Sequence, residues 1–377
     1  MTYLDNAATT FPKPEPVYDA MNEFNRKVVN AGRGAYKQAH EMSLLIAETK
    51  NKIRKLVKAD IDVPVVLSPS ITIALNQIIN GLDMHSGETI YVSPYEHNAV
   101  ARTVEHVAKE KGVKILEIPI NEKLEIDIEK MKYLFSKNKP NYVFCTHVSN
   151  VTGYVLPVQE IFAEAKKHNS ITVLDSAQSM GLISIDSRSI NADIIAFAGH
   201  KTLYGPIGIG GFINVSQINL NIFITGGTGS DSLNLDMPNS LEGRYEAASA
   251  NVLGIKGLSV ALDNLDQETI LSNEQKLTER LIDGLKEVKT IRVISPYEPE
   301  DRVGIVSIVL DNYNSDDVGM ILDEDFDIAV RTGYHCAPYI HKYLNDMDKL
   351  GTVRISLGRY NTAEDIDRVI AALKDLG

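Results

Sequence analysis

From about residue 44 to residue 215, short apolar runs rich in Val and Ile alternate with longer segments of mixed polarity. The runs predict strands over Val63–Ser68, Thr89–Ser93, Lys114–Ile118, Tyr142–His147, Ile171–Asp175, Ile194–Ala198 and Gly210–Asn214. The longer segments predict helices over Ser43–Lys58, Thr72–Leu82, Ala99–Lys111, Ile128–Phe135 and Val158–His168. Repetition of strand, helix and strand predicts an α/β fold with a mostly parallel seven-stranded sheet covered by helices on both faces. Ligands of such sheets gather at the carboxyl ends of the strands.

Residues 225–255 break the rhythm. Thr225-Gly226-Gly227-Thr228-Gly229-Ser230 reads as a loop. Helical character is expected over Ala247–Leu265, followed by a long amphipathic helix, Gln267–Val288, that marks a boundary. Beyond it the pattern predicts strands at Ile291–Ser295, Gly304–Leu310, Ile328–Val330 and Val353–Ser356. Helices are expected near Ser315–Leu322 and Thr362–Leu376. This is the signature of a smaller α+β domain.

Composition narrows the functional class. Lys and Arg number 38 against 50 Asp and Glu, a formal charge of −12, which disfavours nucleic acid and anionic lipid as partners. Two cysteines, Cys145 and Cys336, exclude a disulfide framework. The opening Met1-Thr2-Tyr3-Leu4-Asp5-Asn6 has no basic start or apolar run, and no stretch reaches membrane-spanning length, so a cytoplasmic protein is expected.

The residues that carry chemistry fall after the predicted strands. Lys201 ends Phe197-Ala198-Gly199-His200-Lys201, where a desolvated amine can condense with a carbonyl; a solvated surface lysine is the ordinary alternative. Asp175 closes Ile171-Thr172-Val173-Leu174, placed to cap a helix or to hold a pyridinium nitrogen protonated. His97, in Tyr95-Glu96-His97-Asn98, suits stacking on a ring or proton transfer, and equally a helix start. Gln178, three residues beyond Asp175, can reach the same ring's oxygen, and equally suits an ordinary polar position on a helix face. Thr72, at a helix N-terminus, and His200, beside Gly199, offer donors to a phosphate. Gly208-Ile209-Gly210-Gly211 misses the dinucleotide-binding spacing, and there is no P-loop.

Arg331-Thr332-Gly333-Tyr334-His335-Cys336-Ala337-Pro338 reads as an exposed loop carrying a thiol. A nearby cation favours the thiolate, the reactive form of a cysteine. A zinc site from His335, Cys336 and His341 lacks a fourth ligand. Cys145 lies inside an apolar strand and reads as core. Arg354, in Val353-Arg354-Ile355-Ser356, suits a bidentate grip on a carboxylate, with Asn150 as a possible assistant.

Taken in order, Glu96-His97-Asn98, His147-Val148-Ser149-Asn150, Asp175-Ser176-Ala177-Gln178, Gly199-His200-Lys201 and Arg331 to Cys336 resemble the class V aminotransferase group of fold-type I pyridoxal phosphate enzymes. The likeness runs from Tyr3-Leu4-Asp5-Asn6 to Arg354-Ile355-Ser356-Leu357. It is nearest to the group II cysteine desulfurase and selenocysteine lyase family. The resemblance implies a large cofactor-binding domain over 15–262 and a small domain from 1–14 and 263–377. It implies pyridoxal 5'-phosphate held covalently by Lys201, with Asp175 at the ring nitrogen, His97 stacked on the ring, Gln178 at the phenolic oxygen, and Thr72 and His200 at the phosphate. Arg354 and Asn150, with Arg331 nearby, would hold the substrate carboxylate. Cys336 would take sulfur from L-cysteine, giving L-alanine and a persulfide. A homodimer is implied, with Arg33 and the loop 226–230 serving the neighbouring subunit, and a sulfur-acceptor protein downstream. Selenocysteine lyase or another class V enzyme is the alternative, suggested by Ala198 and Ala248-Ser249-Ala250 where relatives carry other residues.

Overall fold

The computed structural model describes every residue except 33, 230, 231 and 295–300. The expectations placed on Arg33, Ser230 and Ser295 lie outside the described residues. The chain opens with β1 (Thr2–Tyr3), α1 (Glu15–Phe24) and α2 (Lys37–Leu56). There follow β2 (Val65–Ser68), α3 (Ile71–Gly81), β3 (Thr89–Val92), α4 (Asn98–Lys111), β4 (Lys114–Glu117), α5 (Ile128–Lys137), β5 (Tyr142–Thr146) and α6 (Val158–Lys166). Then come β6 (Ile171–Asp175), β7 (Ile194–Ala198), β8 (Gly210–Asn214) and α7 (Val252–Asp263). The seven strands β2 to β8 form one sheet in the order β2-β8-β7-β6-β5-β3-β4, parallel except for β8.

Successive side chains of a strand point to opposite faces, and here both faces are apolar. Val65, Tyr91, Val143, Cys145, Leu174, Ile195 and Phe197 share a core with Ile53 of α2, Phe135 of α5, Phe162 of α6 and Leu258 of α7. Their alternates Val66, Ile90, Val92, Phe144, Val173, Ile194 and Ala196 face Leu75 and Ile78 of α3 and Val100 and Val104 of α4. This two-sided burial is why the strands read as continuous apolar runs. Cys145 is fully buried, as expected of a core thiol.

The rest of the chain supplies α8 (Gln267–Leu285), β9 (Ile291–Ile294), β10 (Ile305–Leu310), α9 (Ser315–Glu324), β11 (Ile328–Ala329), β12 (Arg331–Gly333), α10 (His341–Leu344), β13 (Thr352–Ser356) and α11 (Ala363–Leu376). An antiparallel sheet of order β12-β13-β10-β9 packs on α8, α9 and α11 through Leu281, Val306, Ile308, Leu322, Ile355 and Val369. The N-terminus joins this lobe: β1 pairs in parallel with β11, and Asp5 bridges Ser356.

Three local expectations are corrected. Residues 247–251 are not helical: Ala248 adopts φ +103°, and the Asn251 side chain accepts from the Gly254 nitrogen at 3.0 Å, capping a helix that begins at Val252. Arg331–Gly333 forms a strand against β13 rather than an exposed loop, and Cys336 beyond it is only partly exposed. Helix α2 begins at Lys37, upstream of the expected Ser43, and a helix α1 precedes it with Pro16 in its first turn, where a fixed φ suits the helix. Among the described residues no helix is long and apolar enough to cross a membrane.

Candidate active site

Strand register brings the expected residues to one end of the large sheet. Val92 of β3 pairs with Phe144 of β5, Thr146 with Asp175, Asp175 with Ala196, and Ala198 with Gly210, which also pairs with Ser68. His97, Asn150, Gln178, Lys201 and Thr72 therefore emerge from adjacent carboxyl ends, with Asp175 itself the last residue of β6. Gly210 is forced by this crowding: an added Cβ there would lie 2.9 Å from the Ile71 nitrogen and 2.8 Å from the Phe197 carbonyl.

Lys201 is half-buried, and desolvation lowers its amine to about 8, with Arg354 and Arg331 pushing the same way and Asp175 and Cys336 opposing. The five groups thus share one field. Burial raises the Asp175 carboxyl, while the Ala177 N–H, donating at 2.9 Å, and Lys201 pull it back. His97 starts α4; its Nδ1 accepts from the Ala99 nitrogen at 3.1 Å, which leaves the ring hydrogen on Nε2. Burial lowers that imidazole to about 3, helped by Lys201, Arg331, Arg354 and Arg102, so it is neutral at physiological pH. An acidic protein has gathered cations here, which suits anionic ligands.

The opening segment fixes the lysine turn. The His200 carbonyl accepts from the Thr10 nitrogen at 3.1 Å and from Lys13 Nζ at 2.8 Å, and burial lowers the Lys13 amine to about 8. Gln178 donates through Nε2 to the Ala7 carbonyl at 2.8 Å. The opening segment, given no role by its composition, thus braces both Gln178 and the lysine turn.

Arg354 is fully buried in β13 and donates to Asp5 Oδ1 at 2.6 Å and to the Asn150 carbonyl at 3.1 Å. The Asn150 side chain donates to the His335 carbonyl at 2.7 Å. Arg331 Nη2 lies 3.7 Å from Cys336 Sγ, so the thiol has its cation. Among the described residues no three metal-ligating side chains cluster. His335 instead faces Thr352 Oγ1 at 2.8 Å, and His341 pairs with Asp346 at 2.6 Å.

Glu96 stands in the Glu96-His97-Asn98 motif, but the sequence gives it no role of its own. Its fully buried Oε1 accepts from Ser93 Oγ and from the Thr146 nitrogen, clipping the ends of β3 and β5 together. Burial raises its carboxyl to about 8.

The chemistry of this donor set fits pyridoxal phosphate. The buried atoms His200 Nδ1 and Arg354 Nε have no protein partner among the described residues. They sit with the amino end of α3, a desolvated amine and an enclosed carboxylate, the groups an anionic, carbonyl-bearing pyridine requires.

Comparison with known proteins gives the family and the fold. A family model described as Aminotransferase class-V matches residues 2–369. A probable cysteine desulfurase of Vibrio cholerae is 30% identical, over 99% of this chain and 93% of the relative. The apo structure of a cysteine desulfurase from Thermococcus onnurineus NA1 superposes with a TM-score of 0.91 at 28% identity, covering 99% of this chain and 94% of that one. The cysteine desulfurase CsdA from Escherichia coli, in an S-sulfonic acid form, gives a TM-score of 0.87 at 26% identity with the same coverage.

Proposed function

The chain belongs to the aminotransferase class-V family, and from that premise we propose that it is a cysteine desulfurase acting with pyridoxal 5'-phosphate. L-cysteine is converted to L-alanine, and its sulfur passes to Cys336. The observation that carries the reading is Cys336 beside Arg331, in the same field as the half-buried Lys201.

Bound pyridoxal phosphate supplies an electron sink for the substrate α-carbon. Lys201 would hold it, and its lowered basicity makes the neutral amine accessible near physiological pH. Asp175 would keep the ring nitrogen protonated, because an adjacent opposite charge favours the charged form. His97, neutral and fixed by its own helix cap, would lie against the ring, with Gln178 at its phenolic oxygen. Thr72 and His200 would receive the phosphate. Arg354, Asn150 and Arg331 would orient the substrate carboxylate, and Lys201 Nζ would move the α-proton.

Cys336 Sγ then bonds to the substrate sulfur as the carbon–sulfur bond breaks. The electron pair stays on the former Cβ, which takes a proton, and the enzyme retains a persulfide. A cleft of about 920 Å³ beside Cys336, lined by Arg102, Glu105 and Tyr339, supports a protein thiol as the sulfur's next acceptor. A homodimer would cover Leu233 and Leu235, which stand exposed in the protomer.

The test is alanine formed from L-cysteine with reductant present, for wild type and Cys336→Ala loaded equally with cofactor. Alanine from wild type alone supports the reading; alanine from neither, or from both equally, overturns it.

A further inference from the structure

Cys336 sits in a turn that its sequence does not favour. His335 adopts φ +46° and Cys336 φ +57°, two adjacent side-chain-bearing residues in the left-handed region. Only the surroundings can keep such a pair in place.

Three consecutive carbonyls of this turn are each held from a different element. The Cys336 carbonyl accepts from the Asn98 nitrogen at 2.6 Å, at the start of α4. The His335 carbonyl accepts from Asn150 Nδ2 at 2.7 Å, beyond β5. The Tyr334 carbonyl lies 3.0 Å from His341 Nε2, on α10, and also accepts from the Ala337 nitrogen at 3.0 Å. His341 is itself fixed: Nδ1 lies 2.6 Å from Asp346 Oδ2, and both side chains are buried, at 3% and 0% exposure. The ring therefore meets an acceptor at each nitrogen. The Tyr334 ring packs edge-on to the imidazole, with centroids 5.1 Å apart.

We propose that His341, oriented by Asp346, is a positioning residue for Cys336, holding the Tyr334 carbonyl so that the left-handed turn presents the sulfur beside Arg331. The inference rests on Cys336 being the sulfur-accepting thiol, and it adds a part to that machinery that touches neither substrate nor cofactor. A buried imidazole fixed on both sides suits the task better than an apolar side chain, because its Nε2 can serve the partly buried Tyr334 carbonyl where a hydrocarbon cannot.

The experiment compares wild type, His341→Leu and His341→Gln, all as cofactor-loaded protein with matched cofactor absorbance. Gln retains an amide N–H where His341 has Nε2; Leu has none. One readout is kcat and KM for alanine formation. The other is the alkylation rate of Cys336 by iodoacetamide, followed by mass spectrometry, with buried Cys145 as internal reference.

The expected result for His341→Leu is kcat lowered at least tenfold with KM within twofold, and Cys336 alkylated at least threefold faster. His341→Gln should recover most of both. Unchanged or slower alkylation in the Leu variant overturns the proposal, as does equal impairment of Leu and Gln. The alkylation readout does not depend on catalysis. Should Cys336→Ala keep full activity, the functional reading fails while the role of His341 in holding the thiol is still decided.

Discussion

Arg354 Nη2 donates to Asp5 Oδ1 at 2.6 Å, so a buried cation on the penultimate element is neutralised by a carboxylate from the opening segment. Its Nη1 holds the Asn150 carbonyl, and its Nε is left without a protein partner among the described residues. The guanidinium is thus preorganised, with its Nε–H still available to a substrate carboxylate.

Arg354→Lys should therefore weaken substrate capture more than turnover. A lysine keeps the charge but cannot serve Asp5, Asn150 and a ligand in one plane. The expected change is an increase in KM for L-cysteine of about 10- to 100-fold, with a smaller fall in kcat. Steady-state alanine kinetics measure it, and an unaltered KM would remove Arg354 from substrate binding.

Lys201 should capture pyridoxal phosphate with an unusual pH dependence. Its amine is lowered to about 8 by burial, so the neutral nucleophile accumulates as pH rises through about 8 and is saturated above it. An ordinary lysine would still be gaining near 10.4. Stopped-flow reconstitution of apoprotein should level off above pH 8.5 to 9, as about one proton is lost. Lys201→Ala should yield no borohydride-stable adduct; an adduct on another lysine would show the assignment to be wrong.

Glu96 gives a stability signature. The carboxyl binds its proton up to about pH 8 when folded, because burial disfavours the charge, but only up to about 4.3 when unfolded. Folding takes up a proton between those values. Its contribution is therefore present in full below the unfolded value and is lost as pH rises towards 8, at no more than about 1.4 kcal/mol per pH unit. Glu96→Gln lacks that proton and should show a flatter fall in urea midpoint between pH 5 and 8. Parallel curves for the two proteins would refute the account.

The residues with the greatest chemical contrast to their surroundings were legible in the sequence. Asp175 after four apolar positions, Lys201 after a buried strand and Arg354 inside one all stand out because burying charge is costly without a purpose. The parallel sheet was legible for the same reason, since burial on both faces writes an uninterrupted apolar run. What was hidden depends on distant backbone atoms. Nothing local to Asn98 or Tyr334 announces that a carbonyl of the thiol turn will be held there. Nor does His341 announce that its partner is Asp346 rather than a metal. The first five residues of the helix expected over Ala247–Leu265 failed because composition cannot reveal that Ala248 adopts positive φ and that Asn251 caps.

The opening segment has a mechanical consequence. It is stitched to β11 and β13 at one end and, by way of Thr10 and Lys13, to the carbonyl of His200 at the other. The polypeptide therefore passes between the smaller lobe and the larger body twice, once through these residues and once after α7. The thiol turn is in its turn fastened to the larger body through Asn98 and Asn150, so amine and sulfur are held in one frame and not on two freely moving parts.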